Sequence, residues 1–211
     1  MSQENRARRR FDPERKRRII ETCLDVIAER GTAGTSHRTV ASAADVPLGS
    51  MTYHFDGIDD LMHQAFDLFV QRSIDLFAAR MDGACDAGEA CEVIARHIEG
   101  DLLSTTRDLT INLELYTIAA RDPAFRDLTD RWMAASRARI ERFFDPETAA
   151  LVDAFVEGAT LHRALGAPTP GTAGTISAIR RIAGLEPLGE NEQRVPKAER
   201  QLEGSAEAPE M

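Results

Sequence analysis

Apolar residues recur three and four positions apart along most of the chain, with polar and charged residues between them. This spacing places apolar side chains on one face of an α-helix. Residues 58–81 show it over a long stretch, where Leu61, Ala65, Leu68 and Phe69 belong to a wide apolar face. No strand-like alternation of useful length is present. We therefore predict an all-α fold of about nine helices, over residues 13–30, 36–44, 48–54, 58–81, 89–104, 106–121, 123–144, 146–165 and 172–185.

Three of these helices are predicted to begin at an Asp-Pro pair, at positions 12–13, 122–123 and 145–146. An aspartate can cap the free N–H groups of a first helical turn, and proline is well suited to the first helical position. Gly31 is expected to end the first helix, because glycine readily adopts the backbone conformation that follows a helix.

Two short predicted helices, 36–44 and 48–54, flank a break at residues 45–47. Ser36 or Thr35 can cap the first of them. Asp45 tolerates the left-handed backbone of a tight reversal, and Pro47 is expected to open the second helix. These features predict two closely crossing helices joined by a tight turn.

That pair has the pattern of a helix-turn-helix, in which the first helix crosses the DNA backbone and the second enters the major groove. Val40, Val46, Met51 and Phe55 would form its small core. A second helix of about seven residues is roughly 10 Å long, which suits a major groove about 12 Å wide. We predict double-stranded DNA as a partner.

From Arg17 to about Leu61, the chain resembles the TetR (tetracycline-repressor-like) transcriptional regulators. The resemblance is carried by the leading helix, the next helix start, the turn and the second short helix, at residues 18–31, 35–36, 40–41, 44–46, 49–55 and 59–61. The chain departs from the family where Asp45 replaces a usual Gly, Pro47 a Ser, Thr52 an aromatic residue and Ile58 a Lys. Ile58 removes a phosphate contact, so we expect DNA affinity to depend more on the N-terminal arm.

The resemblance implies three regions. Residues 1–57 would be a basic arm and a three-helix DNA-binding domain, and residues 58–185 a helical domain for effector binding and dimerisation. The tail, residues 186–211, is expected to be disordered, because it has almost no large apolar residues. The implied function is a dimeric repressor that binds a pseudo-palindromic operator and is released by a small molecule of unknown identity.

Charge is distributed unevenly. Residues 1–58 contain ten Arg and Lys against eight Asp and Glu, a net of +2, whereas the whole chain has a net charge of −9. Residues 59–211 therefore carry −11. This asymmetry is typical of a DNA-facing N-terminus on an acidic body. The first 11 residues are interpreted either as an arm that touches DNA phosphate or as a disordered start.

Candidate DNA contacts are the exposed positions of the helix-turn-helix: Ser36, Arg38, Leu48, Gly49, Ser50, Thr52, Tyr53 and His54. Ser50 and Thr52 can bond phosphate or a base edge, and Arg38 can bind either guanine or phosphate. The resemblance places Tyr53 and His54 against the DNA backbone. The alternative interpretation is an ordinary polar face.

In the resembling family the middle helices hold an effector pocket, for which the candidates here are His97, Asn112, Tyr116 and Trp132. A buried amide such as that of Asn112 needs a partner, either a ligand or another group of the protein. Tyr116 and Trp132 can line a pocket or belong to the core. His97 can reach an anionic ligand, although exposure to solvent is the simpler interpretation.

The last two helices are the predicted dimer interface, because small residues on the first permit close approach and the second carries an isoleucine stripe with little left to pack against. Two such helices from each subunit would form a four-helix bundle. The candidate interface residues are Phe155, Gly158, Ala159, His162, Ile176, Ile179 and Ile182.

Other functional classes have weak support. The chain has no GxSxG, no HExxH and no phosphate-cradling glycine loop, so we predict no enzyme, no cofactor and no metal site. Three cysteines without a CxxC pattern favour reduced thiols in the cytoplasm, and no apolar run could span a bilayer. A scaffold dimer that has lost DNA binding and a helical enzyme remain the alternatives.

Overall fold

The computed structural model describes residues 14–101 and 103–186. The predictions made for the arm, residues 1–11, and for the tail beyond Glu186 lie outside these ranges. The described residues contain nine α-helices and no strand, which confirms the predicted all-α class. The helices are α1 Arg15–Arg30, α2 His37–Ala43, α3 Gly49–His54, α4 Ile58–Met81, α5 Ala87–Arg96, α6 Thr106–Ala119, α7 Pro123–Ile140, α8 Pro146–Ala164 and α9 Gly171–Ile182.

Capping residues define most of the helix starts. Asp122 accepts a hydrogen bond from the Ala124 N–H at 2.9 Å, and Asp145 accepts from the Thr148 N–H at 3.0 Å. The predicted Asp-Pro starts of α7 and α8 are therefore confirmed. Gly31, at φ 68°, ends α1 as expected.

The predicted helix over 89–104 is wrong at both ends. It begins earlier, at Ala87, because Asp86 caps it by accepting from the Glu89 N–H at 2.9 Å. After Arg96 the chain widens into a π-helical turn, His97–Asp101. Leu103 then takes φ 50°, a conformation rare for a residue with a side chain, and is buried. A π-helical turn of this kind is a rare, single-turn interruption of an α-helix.

Two apolar cores stabilise the molecule. The first joins α1, α2 and α3 to the N-terminal half of α4 and to α6 and α7, so it crosses the predicted domain boundary at residue 57. The second lies at the opposite end of α4, between α5, the end of α7, α8 and α9. Because α4 contributes to both cores, it links the two ends of the molecule mechanically.

Candidate DNA interface and effector cavity

The start of α2 is held by a reciprocal pair of hydrogen bonds. The Ser36 hydroxyl accepts from the Thr39 N–H at 3.2 Å, and the Thr39 hydroxyl accepts from the Ser36 N–H at 2.8 Å. This capping box satisfies two N–H groups that a helix start leaves free. Ser36 is exposed as well, so it lies on the surface of the helix-turn-helix while fixing its first helix.

The turn between α2 and α3 is set by a single unusual backbone position. Asp45 has φ 50°, as its place in the sequence predicts, and the Val46 N–H donates to the Ala41 carbonyl at 3.0 Å. Pro47, however, does not open α3. It lies before the helix and its carbonyl accepts from the Ser50 N–H at 2.8 Å, so α3 begins at Gly49.

The predicted DNA contacts lie on the outside of this unit. Tyr53 is 83% exposed and Leu48 is 53% exposed. The remaining predicted residues are exposed or partly exposed: Arg38, Gly49, Ser50, Thr52 and His54. Thr52 donates its hydroxyl proton to the Gly49 carbonyl at 3.3 Å, which leaves its oxygen lone pairs available. By contrast, Val40 and Met51 are fully buried beneath them.

Positive charge from α1 reaches this surface. Burial first, and then the charges of Arg15 and Lys16, lower the pKa of His54. The Lys16 ammonium also lies 5.5 Å from the centre of the Phe55 ring. The sequence indicates a basic N-terminus, but Lys16 was not predicted as a neighbour of α3. The run of four basic residues at 15–18 is visible in the sequence. Its position beside α3 depends on how the helices pack.

Ile58, where the family usually has Lys, is partly buried and packs against the first core. Its apolar side chain therefore contributes to the junction between the helix-turn-helix and α4.

A cavity of about 300 Å³ lies in the body, within the size range of small-molecule sites. Helices α4, α6, α7 and α8 and the π-helical turn line it on several sides. Its lining is largely aromatic and apolar, with a few charged groups: Ile74, Phe77, His97, Tyr116, Trp132, Met133, Ala135, Ser136, Arg137, Asp153, Ala154, Val156 and Glu157.

Three of the four predicted pocket residues line this cavity, namely His97, Tyr116 and Trp132. His97 is only 3% exposed, so the expectation that it faces solvent is wrong; its ring centre lies 4.9 Å from that of Phe77. Asn112 is 1% exposed but is not among the lining residues. It precedes Tyr116 by one helical turn, a displacement of about 6 Å along α6, and its Oδ1 has no hydrogen-bond partner in the described ranges.

Two acidic residues of the cavity were not predicted. Glu157 accepts a hydrogen bond from the Tyr116 hydroxyl, and its pKa is raised, mainly by burial and further by the nearby Asp153. Asp153 itself accepts from Arg137 Nε at 3.0 Å. Asp153 and Glu157 are four residues apart beside the buried stripe of Ala149, Val152 and Val156, a spacing that was visible in the sequence.

The residues predicted to form the dimer interface fall into two groups, one on an open groove of α8 and one packed within the subunit. Phe155, Gly158, Ala159 and His162 line a groove between α8 and the loop leading to α9. A Cβ added at Gly158 would meet no atom within 4 Å, so this face of α8 is open.

The isoleucine stripe on α9, in contrast, has a partner within the chain. Ile179 is fully buried in the second core, with Ile176 and Ile182 packed partly against it. The expectation that this stripe has little to pack against is wrong, because α9 lies along α5. Ile179 therefore stabilises the subunit itself.

No group of His, Cys, Asp and Glu suited to a metal ion occurs among the described residues. Within the same ranges, none of the helices has the length and apolar character needed to cross a membrane.

Comparison with known proteins relates both halves of the molecule to one family. Residues 19–65 match the family described as bacterial regulatory proteins, tetR family, and residues 86–185 match the tetracyclin repressor-like C-terminal domain. The structure is similar to that of SCO7518 from Streptomyces coelicolor A3(2), a proposed transcriptional regulator, at 47% identity and a TM-score of 0.74. That match covers 81% of this chain and 99% of the other.

Two further relatives support the assignment to the same family. The multidrug binding protein EbrR, solved in complex with imidazole, is 34% identical with a TM-score of 0.65, covering 83% of this chain and 98% of the other. The HTH-type transcriptional regulator CymR from Pseudomonas putida is 26% identical over 141 residues, covering 67% of this chain and 68% of the relative. The chain belongs to the TetR family of transcriptional regulators, with an N-terminal helix-turn-helix DNA-binding domain and a C-terminal helical domain.

Proposed function

We propose that the chain is a ligand-responsive repressor that acts in the cytoplasm as a homodimer and releases its operator when a small molecule fills the body cavity. The unit up to residue 57 would bind DNA, and residues 58–185 would bind the effector and the second subunit. Two α3 helices about 34 Å apart would read a pseudo-palindromic site.

One observation carries this proposal: α6 touches both functional regions. Through Tyr116 it lines the cavity. Through Glu114, two residues earlier, its carboxylate accepts from the Thr32 N–H at 2.8 Å and from the Thr32 hydroxyl at 2.7 Å, in the connection between α1 and α2. A displacement of α6 by a ligand would therefore be transmitted to the helix-turn-helix.

Small-molecule binding by a relative supports the same interpretation, since EbrR has been solved with ethidium, proflavin and malachite green as well as imidazole. A ligand shifts the equilibrium only by its differential affinity for the DNA-competent and released arrangements. The open face of α8 at Gly158, together with the exposed Leu151 and Leu165, supports α8 as a subunit contact.

The test is a mobility-shift titration of the purified chain against DNA from upstream of its own coding region. We expect Tyr53→Ala to abolish binding while circular dichroism and the oligomeric state stay unchanged, because the side chain is almost fully exposed. Leu76→Ala, which shortens an exposed apolar side chain on α4, is the control and should bind normally. Unchanged affinity of Tyr53→Ala would contradict the proposed DNA interface.

A further inference from the structure

We propose that a second copy of the chain completes the body cavity. Helix α8 would pair antiparallel with α8 of the other subunit, with Gly158 at the two-fold axis. Leu161 and His162 of the second copy would then lie at the rim of the cavity, beside Ala154. This inference rests on the proposed function, because it specifies how the homodimer and the effector cavity depend on each other.

One face of α8 exposes large apolar side chains. Leu151 is 55% exposed and Leu165 is 62% exposed. With Phe155, Gly158 and His162 between them, they recur at alternating intervals of four and three residues, the spacing with which one helix packs along another. The buried residues of the same helix lie on its opposite side. An exposed apolar stripe of this kind marks a contact with another helix.

The stripe is self-complementary about Gly158. Leu151 and Leu165 lie seven residues, or about 10 Å, on either side of it. A two-fold axis at Gly158 would therefore bring Leu151 of each subunit against Leu165 of the other, as an isologous contact requires. A Cβ added at Gly158 would meet no atom of the described chain within 4 Å, so two helices could approach closely there. The stripe itself thus specifies a second copy as its occupant.

Ala154 connects this face of α8 to the cavity. It is exposed, and it belongs both to the lining of the body cavity and to that of the groove along α8. Ala154 lies four residues before Gly158. The pairing therefore places His162 of the second copy, four residues after Gly158, at the same level, with Leu161 next to it. These side chains would form the part of the cavity rim that one subunit lacks.

A shared rim makes ligand binding and subunit association interdependent. A ligand in the cavity would gain contacts in the dimer that a single subunit does not offer. By linkage, the same ligand would strengthen the association of the subunits by the same factor. The cavity of one subunit alone is then an incomplete site.

The pairing is tested by cysteine cross-linking of the full-length chain, with the exposed Cys85 changed to Ser. We expect neither Leu151→Cys nor Leu165→Cys alone to form a covalent dimer, because equal positions would lie about 21 Å apart and a disulfide needs Cα atoms within about 7 Å. A mixture of the two variants should form one on oxidation. Gly158→Cys should form one by itself, because equal positions meet at the axis.

Coverage of the cavity rim is tested through Trp132, which lines the cavity and is the one tryptophan of the chain. Acrylamide, a small neutral quencher of its fluorescence, is titrated against the wild-type dimer and against Gly158→Arg, whose long charged side chain should separate the subunits. We expect the quenching constant to rise at least about twofold in the separated subunit, because interface contacts exclude solvent. Sedimentation and circular dichroism report the oligomeric state and the folding of each variant.

Ala79→Arg is the control, since it adds the same side chain at an exposed position of α4. It should leave both the dimer and the quenching constant unchanged. Leu151→Arg, on the same stripe as Gly158, replaces Gly158→Arg if that variant does not fold.

Three results would overturn the inference: a covalent dimer from Leu151→Cys alone, none from the mixture with Leu165→Cys, or equal quenching of Trp132 in the dimer and the separated subunit. Failure of the inference and failure of the proposed function can be distinguished. A dimer that binds the operator without forming the cross-links pairs through another surface, so the inference fails and the proposed function stands. If the cross-links and the change in quenching are observed but the operator is not bound, the shared cavity stands and the repressor proposal fails.

Discussion

The helix-turn-helix and the body bury different kinds of side chain. Within the described ranges, Thr35 is the one buried polar residue of the N-terminal unit, whereas the body buries His97, Asn112, Thr129, Thr160 and Thr175. The N-terminal unit also exposes large side chains at Leu48 and Tyr53. In the body, aromatic and charged groups together line a cavity of about 300 Å³.

This difference would let the molecule be rigid at the proposed DNA interface and responsive at the proposed effector cavity. Close-packed apolar side chains transmit strain with little deformation. Side chains around a cavity lack contacts on one side, so a ligand can supply what packing does not. The first core extends from the helix-turn-helix into α6 and α7. A change in the body would therefore reach the DNA-binding unit through these packed side chains.

The largest expected change in stability comes from making the same substitution in both regions and comparing the two losses. Met51, fully buried in α3, and Met133, a partly exposed cavity residue, can each be changed to Ala. We expect Met51→Ala to lower the free energy of unfolding by about 2–5 kcal/mol and Met133→Ala to change it by less than about 0.5 kcal/mol. Urea denaturation provides both values, and similar losses would mean that the cavity wall is packed as tightly as α3.

The next largest change in stability is expected from breaking the hydrogen bonds between Glu114 of α6 and Thr32, which link the two regions. Glu114→Ala removes the carboxylate oxygen that accepts both hydrogen bonds from Thr32 and leaves a partly buried N–H without its bond, so we expect a loss of about 1–3 kcal/mol in the free energy of unfolding. Arg72→Ala breaks an exposed ion pair between α4 and α1, at 2.7 Å from Glu21, and should cost less than about 1 kcal/mol. If Arg72→Ala proves the more destabilising in denaturation experiments, the exposed pair, rather than Glu114, is the stronger link.

A smaller change in the free energy of unfolding, this time an increase, is expected from a substitution inside the cavity. Burial raises the pKa of Glu157 above its ordinary value of 4.5. The protonated side chain therefore makes its full contribution to stability below pH 4.5, and this contribution is lost as pH rises through the raised pKa. Glu157→Gln should therefore increase stability near neutral pH, by about 0.5–2 kcal/mol, with a gain that disappears toward pH 4.5. Thermal unfolding across this pH range tests the sign, and a gain that grows on acidification would refute it.

Local sequence pattern was sufficient for most of the architecture. The three-and-four spacing of apolar residues predicted nine helices, and caps such as Asp122 and Asp145 located helix starts that the structure confirms. Asp45 was likewise expected to be left-handed from its place in the turn. These features depend on interactions within a few residues, which a linear sequence displays directly.

The cavity could be predicted only in part, because it is formed by residues far apart in the chain. Tyr116 and Trp132 were recognised as aromatic residues on the helices that form it. Glu157 was missed because its hydrogen-bonding partner, Tyr116, lies on another helix. Asn112 was proposed for the cavity on the same helix face as Tyr116, yet one turn of α6 displaces it from the lining.

Sequence alone therefore established an all-α chain with a helix-turn-helix whose exposed second helix bears Tyr53, since periodicity, capping and turn chemistry are local. Packing between distant helices determined that Ile179 belongs to the second core, that His97 lies buried in a π-helical turn beside Phe77, and that Glu157 and Tyr116 line the same cavity. Each of these depends on which surfaces meet, and the same apolar stripe can cover a neighbouring helix, a second subunit or a ligand. The physical reason is that burial is a property of the assembled helices and not of any one segment.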